Sequence, residues 1–291
     1  MAPMVIELGA PTVDGLGEAL DALQAWQDDA APLQLHPGDV GWYWRWGAAA
    51  TAAAVRTWRR GGEVVAVGLL DGPTLLRLGI APVAQDDEEL ARHLAEDVTR
   101  PERGVLPGGA VTVEAPTGAL VKDVLTERGW TADEPWTPLR HDLTAPFPVP
   151  GAHVEVVGHA QVRDRTMVQR ASFGASSFTD ERWHAMAAGP LYADGRCLVA
   201  RDDDAAAAAA ITVWSAGPGR PGLIEPLGVH PEHRGRGFGT AITVAAAATL
   251  RELGASSVLV CTPTSNVGAV ATYVAAGFGP LPERYDRRRD G

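Results

Sequence analysis

The sequence predicts an α/β protein, a mixed sheet with flanking helices, built twice in tandem. Three observations predict it. Between Leu223 and Gly254 a strand runs through a glycine-rich turn into a helix. The pattern around that strand recurs about 149 residues upstream, and a proline-rich segment divides the two copies.

Leu223, Glu225, Leu227 and Val229 alternate as strand residues do, and after Arg234 the glycines at 235, 237 and 239 remove the Cβ from alternate positions. Phe238, Ile242, Ala245, Thr249 and Leu253 recur at steps of three and four, with Gly254 where a helix stops. Such a turn aims several unpaired N–H groups and the positive end of a helix dipole at one point, which suits an anion. His233, Arg234 and Arg236 add mobile positive charge there. An incidental surface turn is the alternative, and the strand before and helix after argue against it. The turn lacks the Gly-Lys-Ser/Thr of a P-loop, and a dinucleotide fingerprint from Gly235 would require glycine where Thr240 stands.

Leu78-Gly79-Ile80-Ala81-Pro82 matches Leu227-Gly228-Val229-His230-Pro231 at an offset of 231 − 82 = 149, and Arg128-Gly129-Trp130 matches Ala276-Gly277-Phe278 at 277 − 129 = 148. Two matches at nearly one offset indicate an internal repeat. In the first copy the anion turn is replaced by residues 83–89, which carry Asp86, Asp87, Glu88 and Glu89. Four carboxylates would repel a pyrophosphate by roughly 1 kcal/mol each even in a water-like dielectric, so this copy is expected to have lost anion binding.

In chain order, residues 5–8 read as a strand, followed by a helix from about Asp14 with Leu16, Leu20, Leu23 and Trp26 at helical spacing. Trp42, Trp44 and Trp46 lie two apart, as on one face of a strand, with Tyr43 and Arg45 on the other. That row suits sheet core, an interface, or a stacking surface for a ring or sugar. A helix over 48–59, a strand over 63–69 and the strand around Leu78 follow. Alternating Pro146, Pro148 and Pro150 predict an extended connector, dividing the chain into domains 1–145 and 152–291 with a linker at 146–151. The second domain then reads as strand 153–157, helix 160–172, a looser stretch 173–178, and helix 179–188 capped by Thr179 or Asp180. Strands 196–200 and 206–214, the central strand and helix, strand 257–262 and helix 266–276 complete it. On the last helix, Asn266, Val270 and Tyr273 form one stripe, while Val267, Ala271 and Val274 form another able to meet the core. Gly268, Ala269 and Ala271 keep the helix thin.

Arg234, Gly237 and Gly239 after a strand, with Val229-His230-Pro231 upstream, resemble the Arg/Gln-x-x-Gly-x-Gly/Ala signature of the GCN5-related N-acetyltransferase (GNAT) superfamily. The doubled arrangement resembles that of mycothiol synthase-type proteins. The resemblance extends over 153–280 and reaches the first half only through the repeat. It implies two tandem acyl-CoA N-acyltransferase folds, with backbone N–H groups of Arg234, Gly235, Arg236, Gly237, Phe238, Gly239 and Thr240 holding the pyrophosphate of acetyl-CoA. It further implies that Asn266 contacts the pantetheine or phosphate arm, and that Tyr273 faces the sulfur. The backbone of Leu227, Gly228 and Val229 would bind that arm and the thioester oxygen in a splay between strands.

Acyl transfer to an amine expels a thiolate and requires the amine to shed a proton. Tyr273 is the expected O–H donor to the thiolate. Glu225, on the face of Leu223 and Leu227 and a few residues before Val-x-Pro, is the expected base, with apolar neighbours to raise its pKa. Pro226 lacks a sheet donor and so predicts a bulge or splay. Cys261 reads as an inert buried thiol, and His230 and His233 show no metal-ligand spacing. Phe173, Phe178, Trp183, Tyr192 and Trp214 offer walls for an acceptor, or ordinary packing.

A net charge of −11 over 291 residues and a pI near 5.2 argue against nucleic acid or an anionic membrane as partner. Lys122 is the only lysine, read as compositional bias, and Cys197 and Cys261 are too few for a disulfide framework, which fits a reducing cytoplasm. No signal peptide is visible, and the apolar runs are too short to span a bilayer. The expected function is N-acetyltransferase: acetyl, or another short acyl group, passes from acetyl-CoA to a small primary amine by direct attack in a ternary complex, without a metal. The alternative is a non-catalytic acyl-CoA sensor or scaffold. The acceptor, acyl length and oligomeric state are not encoded in any recognisable motif.

Overall fold

The computed structural model describes residues 5–144, 151–174 and 176–291. Apart from Gly151, the linker expected at 146–151 lies outside them. In chain order the elements are β1 (Ile6–Gly9), α1 (Leu16–Ala25), α2 (Pro37–Tyr43), α3 (Ala48–Ala54), β2 (Val55–Arg60), β3 (Glu63–Leu70) and β4 (Leu75–Ile80). Next come α4 (Glu88–Thr99), β5 (Val111–Glu114), α5 (Val121–Glu127), β6 (Thr131–Asp142), β7 (His153–Val156), α6 (Val162–Ser172) and α7 (Asp180–Ala187). The chain ends with β8 (Gly195–Arg201), β9 (Ala207–Trp214), β10 (Gly222–Val229), α8 (Phe238–Glu252), β11 (Ser257–Pro263), α9 (Val267–Ala275), β12 (Gly279–Pro280) and β13 (Arg284–Arg289).

Two compact units result. The first holds the residues up to Val40, Ala48–Trp136 and Glu283–Gly291; the second holds Gly41–Gly47 and Thr137–Pro282. This division differs from a cut at the prolines for two physical reasons. The last strand, β13, pairs antiparallel with β5 at Arg287↔Val113 and with β6 at Arg284↔Trp136, both in the first unit. The tryptophan segment, in turn, packs its rings within the second unit, Trp42 and Trp44 half-buried and Trp46 exposed.

In the first unit the strand order is β1-β2-β3-β4-β5-β13-β6. α4 covers this sheet with Leu90, Leu94 and Val98, all buried at helical spacing. Its N-cap Asp87 accepts from Leu90 N at 2.8 Å and pairs with Arg60 at 2.6 Å, and the Arg60 guanidinium holds the Asp87 carboxyl down to about 2. A carboxylate of this protein therefore occupies the helix end that the second copy leaves open.

In the second unit the order is β6-β11-β10-β9-β8-β7, with the Thr137–Asp142 part of β6 taking part and β12 pairing with it. β9 is buried along its whole length. α8 packs Ile242, Ala246, Ala247 and Leu250 against Ile211, Val213 and Ile224 in one core. β3, β4, α4, β5 and α5 repeat in order as β9, β10, α8, β11 and α9, so the internal repeat is also a repeat of elements. No helix among the described residues is long and apolar enough to cross a membrane.

Two elements differ from expectation. Residues 42–46 form no strand: α2 runs to Tyr43 and a 3₁₀ turn covers Trp44–Trp46. Pro37 opens the helix, and Asp39 Oδ2 accepts from His36 N at 2.7 Å, a local cap that outweighs the alternation. The three indoles pack within the second unit. Trp42 lies 5.0 Å from the Phe178 ring, Trp44 covers Gly189, and the Arg182 guanidinium sits 3.9 Å over Trp46. The helix expected over 48–59 stops at Ala54, where Val55, Thr57 and Trp58 turn inward as strand residues.

Candidate active site

The alternation from Leu223 to Val229 forms β10, but Pro226 interrupts it. The pairing with β9 runs through Leu223↔Trp214 and Ile224↔Val213, then shifts by one residue before resuming at Leu227↔Ile211. The parallel pairing with β11 covers only Gly222↔Val258 and Leu223↔Leu259. Beyond Leu223 the two strands part, as a residue without a sheet donor requires. His230 N donates to Ala208 O at 2.9 Å, so by the two-residue period of a strand Leu227 and Val229 present their N–H groups to the edge that β11 has left.

After β10 a 3₁₀ turn over Pro231–His233 leads into the glycine loop. Gly235 and Gly237 have φ of 73° and 86°, left-handed values that a side chain would strain. Gly237 is the N-cap of α8 and offers no side-chain cap. Consequently none of the six amides from Gly235 to Thr240 has a hydrogen-bond partner among the described residues, and the first to be satisfied is Ala241 N, on Gly237 O at 3.0 Å. A Cβ on Gly239 would lie 3.0 Å from Thr272 Cγ2 and 3.3 Å from Val229 Cγ2, so α8, α9 and β10 converge there.

A groove of about 750 Å³ occupies this convergence. Of the expected site residues it is lined by Leu227, Gly228, Val229, Arg234, Gly235, Gly237, Phe238, Gly239, Thr240, Asn266 and Tyr273. Arg236 instead lines a neighbouring hollow of about 650 Å³ that shares Gly237, Phe238 and Thr240 with the groove and reaches Arg201. Glu225, half-buried on β10, lies close enough to Tyr273 for its charge to act on that hydroxyl. Burial first, then Glu225 and Cys261, push the Tyr273 hydroxyl well above the ordinary tyrosine range.

Several expectations change at this level. Arg234 is no mobile charge: it donates to Val229 O at 3.3 Å and to Ser172 O at 3.2 Å. Asn266 keeps its place in the groove lining and in addition caps α9, its Oδ1 accepting from Ala269 N at 3.2 Å. The face of α9 that meets the core carries Tyr273, Ala276 and the half-buried Val270, whereas Val267 and Val274 are 72% and 47% exposed. The hydroxyphenyl ring outweighs two valines in buried area, so the stripe expected to face inward faces solvent. Cys261 is half-buried rather than enclosed. Among the aromatic walls, Phe173 lines the groove, while Trp183, Tyr192 and Trp214 form an edge-to-face chain at 6.1 and 5.9 Å that serves packing.

Ser172 and Thr272 also line the groove and carried no sequence signal. Ser172 Oγ is buried without a partner among the described residues, and a Cβ on Gly228 would fall 2.6 Å from it. A hydroxyl ending one helix acquires meaning only when a strand from elsewhere is laid against it.

The geometry can be set beside known proteins. Residues 136–278 match the sequence model described as the Acetyltransferase (GNAT) family. That segment belongs to the GNAT acetyltransferases. Mycothiol acetyltransferase of Nocardia farcinica is 41% identical over 59 residues, a match spanning 20% of this chain and 20% of that protein's length. A solved tandem GNAT protein from the clavulanic acid biosynthesis pathway shares 18% identity and a TM-score of 0.61, covering 98% of each chain. N-myristoyltransferase of Saccharomyces cerevisiae, solved with myristoyl-CoA, shares 11% identity and a TM-score of 0.57, covering 98% of this chain and 79% of its own. At these identities the structural matches establish the fold, a tandem GNAT fold over the whole chain, and the family assignment rests on the second copy.

Proposed function

We propose that this GNAT protein transfers an acetyl or other short acyl group from acyl-CoA to a small primary amine, by direct attack within a ternary complex in its second unit. The observation that carries the reading is the run of six unsatisfied amides, Gly235 to Thr240, opening onto a groove that continues to Tyr273. Unpaired N–H groups at a helix start favour a diphosphate, and the N–H groups of Leu227 and Val229 at the open edge of β10 suit an extended amide-bearing arm. The hollow beside Arg236 and Arg201 gives the nucleotide end of such a donor a place outside the groove.

In the reaction the amine nitrogen attacks the thioester carbonyl carbon, the C–S bond breaks, and the amine loses a proton. Glu225 takes that proton, directly or through water. The hydroxyl of Tyr273, held protonated by its surroundings, donates a hydrogen bond to the departing thiolate. Because the raised pKa makes Tyr273 a weaker acid than a thiol, it stabilises the thiolate without surrendering its proton, and the proton released by the amine completes the thiol. In the first unit Asp87 caps the corresponding helix, which supports reading the chemistry in the second.

Incubation of purified protein with acetyl-CoA and a panel of primary amines, read by thiol release, tests the proposal. A set of amines giving release, lost in Glu225→Gln while CoA still protects the fold, supports transfer. CoA protection with no release for any amine supports the sensor alternative.

A further inference from the structure

The first unit contains a pocket of about 220 Å³ that the proposed acyl transfer does not use. It is walled by the turn before α5, by α5 itself and by the start of β13, and Lys122, Arg284 and Arg287 supply its cations. Lys122 is the only lysine in the chain. Its residue is 7% exposed, yet its ammonium has no hydrogen bond or ion pair among the described residues. A lysine this enclosed normally takes a carboxylate partner, and the Lys122 Nζ, which is not among the fully enclosed polar atoms and so reaches the pocket opening, does not.

The surroundings explain why it does not. Arg284 pairs with Glu114 at 3.2 Å and with Asp286 at 3.0 Å, so the nearby buried carboxylates are already engaged. Arg287 uses its Nε on Lys122 O and Thr126 Oγ1 and has no carboxylate within ion-pair distance among the described residues. The remaining acids of the pocket, Asp123 and Glu283, are exposed, and Glu283 accepts from the Tyr285 hydroxyl. The inner wall thus holds two cations, Lys122 and Arg287, that no carboxylate of the described residues contacts within ion-pair distance, although Asp286 and Asp123 act on Lys122 from farther off, beside Thr117 and Gly118. Burial and the neighbouring arginines lower the Lys122 amine to about 8, so a substantial share of it is an uncharged nucleophile in mildly alkaline water.

We infer that this pocket binds a small carbonyl compound bearing a carboxylate or phosphate, with Arg287 holding the anion and Lys122 forming an imine with the carbonyl carbon. The volume admits a few-atom aldehyde or keto acid and excludes a nucleotide-sized donor. In the step, the neutral Nζ attacks the carbonyl carbon to give a carbinolamine. The C–O bond then breaks, the oxygen departs as water with both nitrogen hydrogens, and a C=N bond remains. Neither oxidant nor reductant enters, and the reaction reverses in water.

Full-length protein treated with glyoxylate and cyanoborohydride, which reduces the imine to a stable carboxymethyl amine, provides the test, read by peptide mapping. The expected result is saturable labelling at Lys122, slowed by inorganic phosphate. Arg287→Gln should slow glyoxylate labelling about tenfold while leaving labelling by neutral glycolaldehyde unchanged. Labelling confined to the N-terminal amine, or labelling of Lys122 that rises linearly with glyoxylate and ignores both phosphate and Arg287→Gln, overturns the inference. Phosphate competition on the wild-type protein keeps the test valid if the variant fails to fold.

Discussion

The Arg234 guanidinium donates to Ser172 O across 3.2 Å, binding the glycine loop to the C-terminal end of α6. With its second bond, to Val229 O, it holds the loop against both a helix and the strand that precedes it. Its charge near the groove is therefore fixed in position, and the loop's amides keep their direction without a ligand. Arg234→Ala removes both bonds, each worth about 1 kcal/mol at an exposed site. CoA affinity measured by calorimetry is expected to fall about tenfold or more, with turnover at saturating donor nearly unchanged.

Glu225→Gln retains the shape of the side chain and removes its basicity. Loss of a general base typically costs about 10²- to 10⁴-fold in rate. Stopped assays of thiol release should show a drop of that size while CoA binding is preserved. Equal loss of binding and turnover would make Glu225 a structural residue.

Tyr273→Phe deletes the donor to the leaving sulfur and leaves the ring in the core. Removal of one such donor lowers turnover about a hundredfold in comparable sites. Since its surroundings raise the Tyr273 pKa, the wild-type rate profile should show no alkaline limb from this group below about pH 10.

Lys122→Met separates charge from bulk in the first unit. The folded-state pKa of Lys122 is lowered from 10.5 to about 8, so between those values the unfolded chain binds more protons and stability rises with pH. Below pH 8 the folded protein carries the full penalty of a buried charge. Denaturant titrations should show Lys122→Met more stable than wild type at pH 7, the difference shrinking toward pH 10.5.

Gly41→Ala probes the tryptophan segment. A Cβ there would lie 2.5 Å from Cζ3 of Trp214, a ring fixed on β9. Overpacking a rigid neighbour costs about 1–3 kcal/mol, and a lowered Tm is expected with CoA still stabilising the variant.

The strand, loop and helix from Gly222 to Glu252 were legible because each rests on local chemistry: alternation before the turn, glycines at positive φ within it, helical spacing after it. Thr179 and Asn266 were legible as helix boundaries for the same reason, since each caps amides within three residues. The segment from Trp42 to Trp46 misled because an aromatic at every second position satisfies a strand and also a short helix continued by a 3₁₀ turn. Pro37 and Asp39 held the deciding information upstream. Arg284 and Arg287 gave no sign of their place, because β13 pairs with Val111–Val113, more than 170 residues earlier in the chain. Ser172 was invisible for a like reason: its relation to Gly228 exists only after α6 and β10 have packed.

Amide hydrogen exchange across residues 234–240, with and without saturating CoA, bears most directly on the account. Marked slowing of exchange there and at Leu227–Val229, with the loop around Asp87 unaffected, is the predicted result. Unchanged exchange at Gly235 to Thr240 while CoA is bound would contradict it, because the diphosphate would then be held elsewhere.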